Sequence, residues 1–305
     1  MKAPVRFGTR ASRLARWQTH HVAHALGAAH PGLAWAEIVI ETAGDEDRHT
    51  PLPEIGGKGV FTEALEAALL RGEIDLAVHS LKDLPIAPAS GLDVGAVCFR
   101  ADARDALVAR ERWTLDSLPE SAVIGTSSLR RTGQLKGLRP DLRFEPLRGN
   151  VDTRVRAARE GKYDAVCIAA AGVERLGLGE AVSEYLPFER LLPAPGQGAL
   201  AVQCRADDEA MRRLLLAIDD AAVRAAVSAE RAFLAGVGGG CSAPVGAFGR
   251  VTETNRALRL DAVAAAVDGT IVIRVNGTGS VTSPTDLGRR LAEEALARGA
   301  GALVT

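Results

Sequence analysis

Short apolar runs alternate with segments of helical spacing along the first hundred residues, the pattern of a wound α/β domain. The runs that predict strands are Val5–Phe7, Ile38–Thr42, Ile74–His79 and Val94–Phe99. The segments with one apolar helical face are Ser12–Ala29 and Thr62–Arg71. Residues 44–59 show no period and contain prolines and glycines, so we expect a mobile loop there.

A second series of the same kind follows. Its predicted strands are Ala106–Ala109, Val123–Gly125, Phe144–Leu147 and Ala165–Ala170, connected by helices that begin near Ser127 and Val151. The proline- and glycine-rich stretch Leu191–Gly198 predicts a crossing segment. The buried run Ala199–Cys204 that comes next could return to the first domain as a strand.

The pattern changes after residue 207. It predicts helices over about 207–218 and 220–235, a hairpin of Leu258–Val267 and Thr270–Thr278 around the two-residue turn Asp268-Gly269, and a last helix from Ser283-Pro284 to about Arg298. We therefore expect an α/β protein with three domains. They are residues 1–98 with 199–217, residues 99–198, and a small α+β domain of residues 218–305.

Composition narrows the class of protein. The 305 residues are 47% hydrophobic and carry a net charge of −1, which excludes the basic field of a nucleic-acid binder, so anion recognition must be local. No apolar run approaches the roughly 20 residues that span a membrane, and the start lacks a signal-peptide core, so we expect a cytoplasmic protein. Four cysteines without CxxC spacing predict neither a disulfide framework nor a metal site.

One cysteine differs from the other three. Cys98, Cys167 and Cys204 lie in apolar strands and are expected to be buried. Cys241 closes the run Gly236-Val237-Gly238-Gly239-Gly240, where its sulfur could carry a covalently attached group. The alternative is an inert loop cysteine.

Polar side chains follow the strand that ends at His79. Ser80, Lys82 and Asp83 lie just beyond its carboxyl end, where open α/β sheets bind ligands. Asp83 could pair with Lys82 as a surface ion pair, or it could be partly buried and handle a proton on a substrate nitrogen. We expect His79 to be a hydrogen-bonded structural residue.

Hydroxyls and arginines mark further strand ends. Thr126, Ser127 and Ser128 open a helix whose next turn carries Arg130 and Arg131, a combination that binds anions, although a plain N-cap with solvent-facing arginines is the alternative. The other arginines at such positions are Arg10, Arg148, Arg154 and Arg175. They predict a ligand with several carboxylates in a cleft between two domains. Phosphate is less favoured because GxxxxGK[ST] and GxGxxG are absent.

Taken in order, the motifs resemble those of the hydroxymethylbilane synthase (porphobilinogen deaminase) family. The matching segments are Gly8-Thr9-Arg10, Gly56-Gly57-Lys58-Gly59, His79–Asp83, Gly125–Arg131, Leu147–Asn150, Pro195–Gly198 and Gly239–Cys241. The resemblance covers nearly the whole chain. It implies two periplasmic-binding-protein-like α/β domains and a small α+β domain that carries the cofactor cysteine.

The resemblance also implies an activity. Four porphobilinogen molecules are condensed head to tail into hydroxymethylbilane on a dipyrromethane cofactor, which a thioether joins to Cys241. Asp83 matches the catalytic aspartate that stabilises a developing cation. The implied cofactor-binding residues are Ser80, Lys82, Asp83, Thr126, Ser127, Ser128, Arg130, Arg131 and Cys241. The implied substrate-binding residues are Arg10, Lys58, Phe61, Arg148, Arg154, Arg175 and Gln197, with Lys58 and Phe61 on a lid. A monomer is expected.

Other interpretations stay open at this point. A solute-binding protein would suit two lobes with arginines between them, but it predicts a signal peptide and needs neither Cys241 nor Asp83. A ligand-sensing regulatory domain would be accompanied by a helix-turn-helix or a basic region. An inactive homologue would keep the motifs. Arg13 and the segment Asp45–Arg48 depart from common family sequences, which bears on the lid rather than the chemistry.

Overall fold

The computed structural model describes residues 3–41, 62–240, 242–252 and 257–304. The chain forms two compact units, Met1–Arg100 with Ala199–Arg224 and Ala101–Gly198 with Ala225–Thr305. Both units combine strands with helices, and the α/β fold class is confirmed. The separation of residues 218–305 as a third domain stays a prediction.

Thirteen strands lie in the described part of the chain. They are β1 Val5–Thr9, β2 Trp35–Val39, β3 Leu76–Ser80, β4 Leu92–Cys98, β5 Asp105–Ala109, β6 Val123–Gly125, β7 Arg143–Glu145, β8 Ala165–Ala169, β9 Glu184–Leu186, β10 Leu200–Arg205, β11 Val245–Val251, β12 Ala257–Ala265 and β13 Val272–Ser280. Strands β9 and β11 were not predicted. The first has only three residues, and glycines 246 and 249 interrupt the apolar period of the second.

The α-helices of the described residues are α1 Arg13–Ala29, α2 Glu63–Leu70, α3 Leu129–Leu138, α4 Val151–Arg159, α5 Ala170–Arg175, α6 Glu209–Leu215, α7 Ala221–Gly236, α8 Pro284–Ala297 and α9 Gly301–Val304. Short 3₁₀ turns occupy Leu81–Asp83 and Gly179–Ala181. Within these ranges, no helix combines the length and the apolar character that crossing a membrane requires.

The first unit contains a five-stranded sheet in the order β2-β1-β3-β10-β4. Strand β1 runs parallel to β2 and β3, whereas β10 lies antiparallel between β3 and β4. Helix α1 packs Val22 and Leu26 on one face of this sheet. Helix α2 packs Leu65 and Leu69 on residues that include Ile74. Because both faces are covered, the central strands are almost continuously apolar.

The second unit contains a sheet in the order β7-β6-β8-β5-β9, with β5 antiparallel to both of its neighbours. Successive residues of β8 supply two cores, as a pleated strand must. Ile168 joins the core that includes Val155 and Tyr163. Cys167 joins the core that includes Ile124 and Leu135.

A three-stranded antiparallel sheet, β11-β12-β13, belongs to the same unit. Glu230 of helix α7 is fully buried and accepts hydrogen bonds from the backbone nitrogens of Gly196 and Gly249, both at 2.7 Å. Phe248 of β11 stacks on Phe188, with the ring centroids 3.9 Å apart. These contacts attach the small sheet to the segment that precedes β10.

Helix α3 and the β12–β13 hairpin meet backbone to backbone. The hairpin was predicted with a two-residue turn, but Ala266 pairs with Ile271, so the loop spans residues 267–270. Gly269 has a φ of 78°, and a Cβ placed there would lie 2.6 Å from the carbonyl carbon of Lys136 and from the nitrogen of Gly137. Only glycine suits this position, because it allows both the left-handed conformation and the close approach.

We expect Gly269→Ala to lower the free energy of unfolding by about 1 kcal/mol for the positive φ and by a further 1–3 kcal/mol or so for the forced separation from helix α3. Gly177→Ala is the control, since Gly177 has a φ of 70° but no atom within 4 Å of an added Cβ. Urea denaturation of both variants measures the difference. Equal losses would show that the close approach contributes nothing.

Candidate active site

The end of strand β3 presents the polar group predicted there. Leu81 and Leu84 are buried, and the backbone nitrogen of Leu81 donates to the carbonyl of Ala199 at 3.0 Å. In a 3₁₀ turn, residues three apart share a side. Asp83 therefore projects away from these two leucines and is exposed. The prediction that Asp83 is partly buried is wrong, and its carboxylate is accessible to a ligand.

Ser80 and Lys82 flank this turn. The hydroxyl of Ser80 accepts a hydrogen bond of 2.9 Å from the side-chain amide of the buried Gln18, which leaves its own proton available to donate. Lys82 is half-buried. This strand end thus presents an oriented hydroxyl, a cation and an exposed carboxylate within four consecutive residues.

His79, the preceding residue, is buried and neutral. Burial lowers the pKa of its imidazole to about 4, with Gln203 acting in the opposite direction and the charge of Arg10 lowering it further. Gln203 is itself oriented by a 3.1 Å hydrogen bond to Glu66. The Nε2 atom of His79 has no hydrogen-bond partner of standard geometry among the described residues, and the Gln203 side chain is the group that acts on the imidazole by hydrogen bonding.

The three hydroxyls between β6 and α3 have distinct partners. Thr126 Oγ1 accepts from the backbone nitrogen of Ser128 at 3.2 Å, and Ser128 Oγ accepts from that of Arg131 at 3.4 Å as the N-cap of the helix. Ser127 Oγ both accepts from the backbone nitrogen of Leu147 and donates to its carbonyl, each at 3.0 Å. Thr126 and Ser128 therefore keep a proton for a ligand, whereas Ser127 does not.

Arg130 and Arg131 do not face solvent. Their exposures are 3% and 6%, and both donate to the fully buried carboxylate of Asp105 at 2.7 Å. Burial alone would raise the pKa of Asp105, but the two guanidinium charges and their hydrogen bonds hold it well below its usual range. The alternative of solvent-facing arginines is thereby excluded. One carboxylate against two guanidiniums leaves one positive charge in excess.

Gln197 belongs to the same cluster. Its side-chain nitrogen donates to Asp105 Oδ1 at 3.0 Å and to the carbonyl of Ala103 at 2.9 Å. Sequence reasoning missed Asp105, although an acidic residue at the head of the apolar run that forms β5 is a signal that could have found it.

Two other predicted arginines of this unit, Arg154 and Arg175, donate to backbone carbonyls. Arg154 donates from Nε to Gly149 and Arg175 from Nη2 to Gly198, each at 2.7 Å. Arg148 is half-buried in the middle of the connection between β7 and α4. These bonds orient the side chains of Arg154 and Arg175.

The glycine run before Cys241 ends helix α7. Gly239 donates to the carbonyl of Leu234 and Gly238, with a φ of 78°, to that of Ala235, which is a Schellman motif. Cys241 itself lies outside the described residues, as do Lys58 and Phe61. The other three cysteines are buried, and burial raises the pKa of Cys167 to about 12 and that of Cys204 to about 11. Those two thiols are unsuited to form a thiolate.

The hydroxyl protons, the guanidinium donors and the one excess positive charge of the second unit suit carboxylate groups. The first unit by itself presents Ser80, Lys82 and Asp83 at the end of β3. No cluster of three or more His, Cys, Asp or Glu side chains in the described part of the chain is arranged to hold a metal ion.

Comparison with known sequences agrees with this donor set. Residues 5–213 match the family pattern described as porphobilinogen deaminase, dipyromethane cofactor binding domain, and residues 224–297 match porphobilinogen deaminase, C-terminal domain. These matches define a protein of the class that binds a dipyrromethane cofactor. The chain belongs to the porphobilinogen deaminase family.

Curated relatives support the assignment along the full length. The porphobilinogen deaminase of Roseiflexus castenholzii is 50% identical over 304 residues, covering 100% of this chain and 99% of the relative. That of Acidothermus cellulolyticus is 49% identical, covering 98% and 91%. That of Brevibacillus brevis is 46% identical, covering 96% and 94%.

Solved structures give more distant similarities. The VFT2 domain of Bordetella pertussis BvgS matches with a TM-score of 0.41 and 15% identity, covering 70% of this chain and 85% of that domain. The probable amino-acid ABC transporter extracellular-binding protein YtmK of Bacillus subtilis also has a TM-score of 0.41, at 8% identity, covering 70% and 90%.

Removing the buried charge of Asp105 should destabilise the second unit. Asp105→Asn keeps the shape but leaves two guanidiniums side by side, and we expect a loss of about 3–5 kcal/mol in the free energy of unfolding. Urea denaturation measures it. The matched control is Asp116→Asn, which breaks a 2.6 Å pair with Arg190 at an exposed carboxylate and should cost far less, because solvent screens that pair. Similar losses in both variants would contradict this account.

His79 should make stability depend on pH. In the unfolded chain its imidazole takes up a proton near pH 6.5, whereas in the folded protein it stays neutral down to about pH 4. The unfolded state therefore binds more protons as pH falls through this window, and the free energy of unfolding decreases. We expect His79 to account for about 1.5 kcal/mol between pH 6.5 and 5.

His79→Asn, which does not titrate in this range, should lack that part of the pH dependence. Urea denaturation of both proteins at pH 6.5 and pH 5 gives the two slopes. Identical slopes would mean that the imidazole is protonated equally easily in the folded and unfolded states.

Proposed function

We propose that the protein works as a porphobilinogen deaminase, a transferase that condenses porphobilinogen molecules head to tail and releases the linear tetrapyrrole hydroxymethylbilane. The observation that carries this proposal is the match of both family patterns, in order, over nearly the whole chain. The matched segments also contain the hydroxyl and guanidinium donors that would bind the carboxylates of such a substrate, and the carboxylate of Asp83.

The cofactor proposed here is dipyrromethane, attached by a thioether to Cys241. The donor set fits it, because pyrroles of this kind carry acetate and propionate side chains, and hydroxyls and guanidiniums bind carboxylates well. Thr126, Ser128, Arg130 and Arg131 would hold those carboxylates, with Ser80 and Lys82 at the other strand end. When bound, the cofactor supplies the pyrrole carbon to which the first substrate is joined.

Asp83 would act on the reacting pyrrole. A porphobilinogen that loses ammonia develops positive charge, and a carboxylate placed beside its nitrogen lowers the energy of that charge. The exposure of Asp83 and its place beyond the end of β3 suit this role. An acceptor at the same position can also take up the proton that the pyrrole ring gives back as it becomes aromatic again.

The incoming substrate would be held by cations. Arg10 and Arg148 follow strands β1 and β7, whereas Arg154 lies in helix α4 and Arg175 ends helix α5. The bonds of Arg154 and Arg175 to carbonyls fix their orientation. Gln197, which is fully buried, would contribute by orienting Asp105 next to the arginine pair, and Lys58 and Phe61 would also bind the substrate. Each pyrrole brings two carboxylates, so several cations are needed for each bound unit.

We also propose that the protein is a cytoplasmic monomer whose partner is this small molecule rather than a nucleic acid or a membrane. The net charge of −1 supports the absence of nucleic-acid binding. Nothing in the motif set calls for a second subunit.

Intact mass of the purified protein tests the proposal. We expect an added mass equal to two linked pyrroles on the native chain, its absence from Cys241→Ser, and its retention in Cys204→Ser, where a buried thiol is changed instead. Consumption of porphobilinogen should follow the added mass. A native protein that stays unmodified after incubation with porphobilinogen would overturn the proposal and favour a binding protein.

A further inference from the structure

The segments that follow strands β6 and β7 are joined by a serine side chain beyond the last backbone hydrogen bond between them. Strands β6 and β7 run parallel with Gly125 opposite Glu145, and the ladder continues with Thr126 donating to the carbonyl of Glu145 at 2.9 Å. At the next residue, Ser127 Oγ accepts a hydrogen bond from the backbone nitrogen of Leu147 and donates one to its carbonyl, each at 3.0 Å. The serine thus extends the pairing beyond the point where the strands end.

A second side chain fixes the same pair of loops. Tyr163 is 4% exposed, and its hydroxyl donates to the carbonyl of Pro146 at 2.8 Å. Its ring packs on Gly125 so closely that an added Cβ there would lie 3.0 Å from it. Tyr163 therefore holds the end of β6 with its ring and the residue before Leu147 with its hydroxyl.

The hydroxyl of Ser127 is poorly suited to bind a carboxylate. A serine has one proton to donate, and this one is directed to the carbonyl of Leu147. The remaining lone pair would repel a carboxylate oxygen. The neighbouring Thr126 and Ser128 hydroxyls only accept from backbone nitrogens, so their protons stay available.

We propose that Ser127 and Tyr163 are positioning residues that together fix the loop Leu147–Asn150 against the start of helix α3. Arg148, the residue after the clamped leucine, is thereby held where a carboxylate of the ligand meets it. The role of Arg148 rests on the proposed function. Ser127 then acts through Arg148 and not by touching the cofactor, which changes the role that the family resemblance implies for it.

The first test does not use activity. Hydrogen exchange of the backbone amides of residue 145 and residues 147–151 should be roughly three- to tenfold faster in Ser127→Ala and in Tyr163→Phe, the effect of losing one modest hydrogen bond. Ser117→Ala is the control, since Ser117 Oγ accepts from the nitrogen of Thr114 in an exposed turn elsewhere in the same unit. Unchanged exchange of the Leu147 amide in Ser127→Ala would overturn the clamp.

The second test is a double-mutant cycle with Arg148→Ala. Each clamp variant should raise the KM for porphobilinogen roughly three- to tenfold with little change in kcat. In the Arg148→Ala background, neither Ser127→Ala nor Tyr163→Phe should raise the KM further. Additive effects of Ser127→Ala and Arg148→Ala would show that the serine contacts the ligand itself and would overturn the proposal. If the native protein does not consume porphobilinogen, the proposed function fails, and the exchange measurement alone decides the clamp.

Discussion

The arrangement of the second unit depends on the buried carboxylate of Asp105. It accepts hydrogen bonds from Arg130, Arg131 and Gln197, three residues that lie far from it along the chain. An ion pair taken out of water gains little net stability, because the cost of desolvation offsets much of the attraction. Its value lies in geometry, since a carboxylate with two guanidiniums tolerates few arrangements. The head of β5, the first turn of α3 and the turn before β10 must therefore come together.

The same unit is tightened by close backbone contacts. Helix α3 begins with the arginine pair and ends against the β12–β13 hairpin, where Gly133 and Gly269 let the main chains approach. Helix α7, which leads to Cys241, is attached through Glu230 to the segment before β10 and to β11. The helix that precedes Cys241, the proposed anchor, and the arginines proposed to hold its cofactor thus belong largely to one compact unit. Rigid elements are the supports on which a site keeps its geometry.

Apolar periodicity located most of the strands and helices, because burial on two faces leaves a strong signal in β3, β8 and β10. It failed where that signal was absent: β9 is too short, and glycines break the pattern of β11. Motif reasoning located the strand-end hydroxyls and arginines but could not foresee their partners. The roles of Asp105 and Tyr163 and the two hydrogen bonds between Ser127 and Leu147 depend on contacts between residues distant in sequence. No local sequence pattern predicts such contacts. The exposure of Asp83 follows from a single 3₁₀ turn whose leucines both point inward.

The position of β10 in the first sheet determines the order in which the protein can be completed during synthesis. Among the described strands, β4 pairs with β10 alone, so residues 92–98 lack this strand partner until residues 200–205 have left the ribosome. All strands of the second five-stranded sheet, β5 to β9, are made in that interval. The nascent chain therefore contains the apolar strand β4 without β10 while strands β5 to β9 of the second sheet are made. Unpaired strand edges are sites of aggregation in folding intermediates, so the late arrival of β10 leaves the chain open to aggregation during this stage of synthesis.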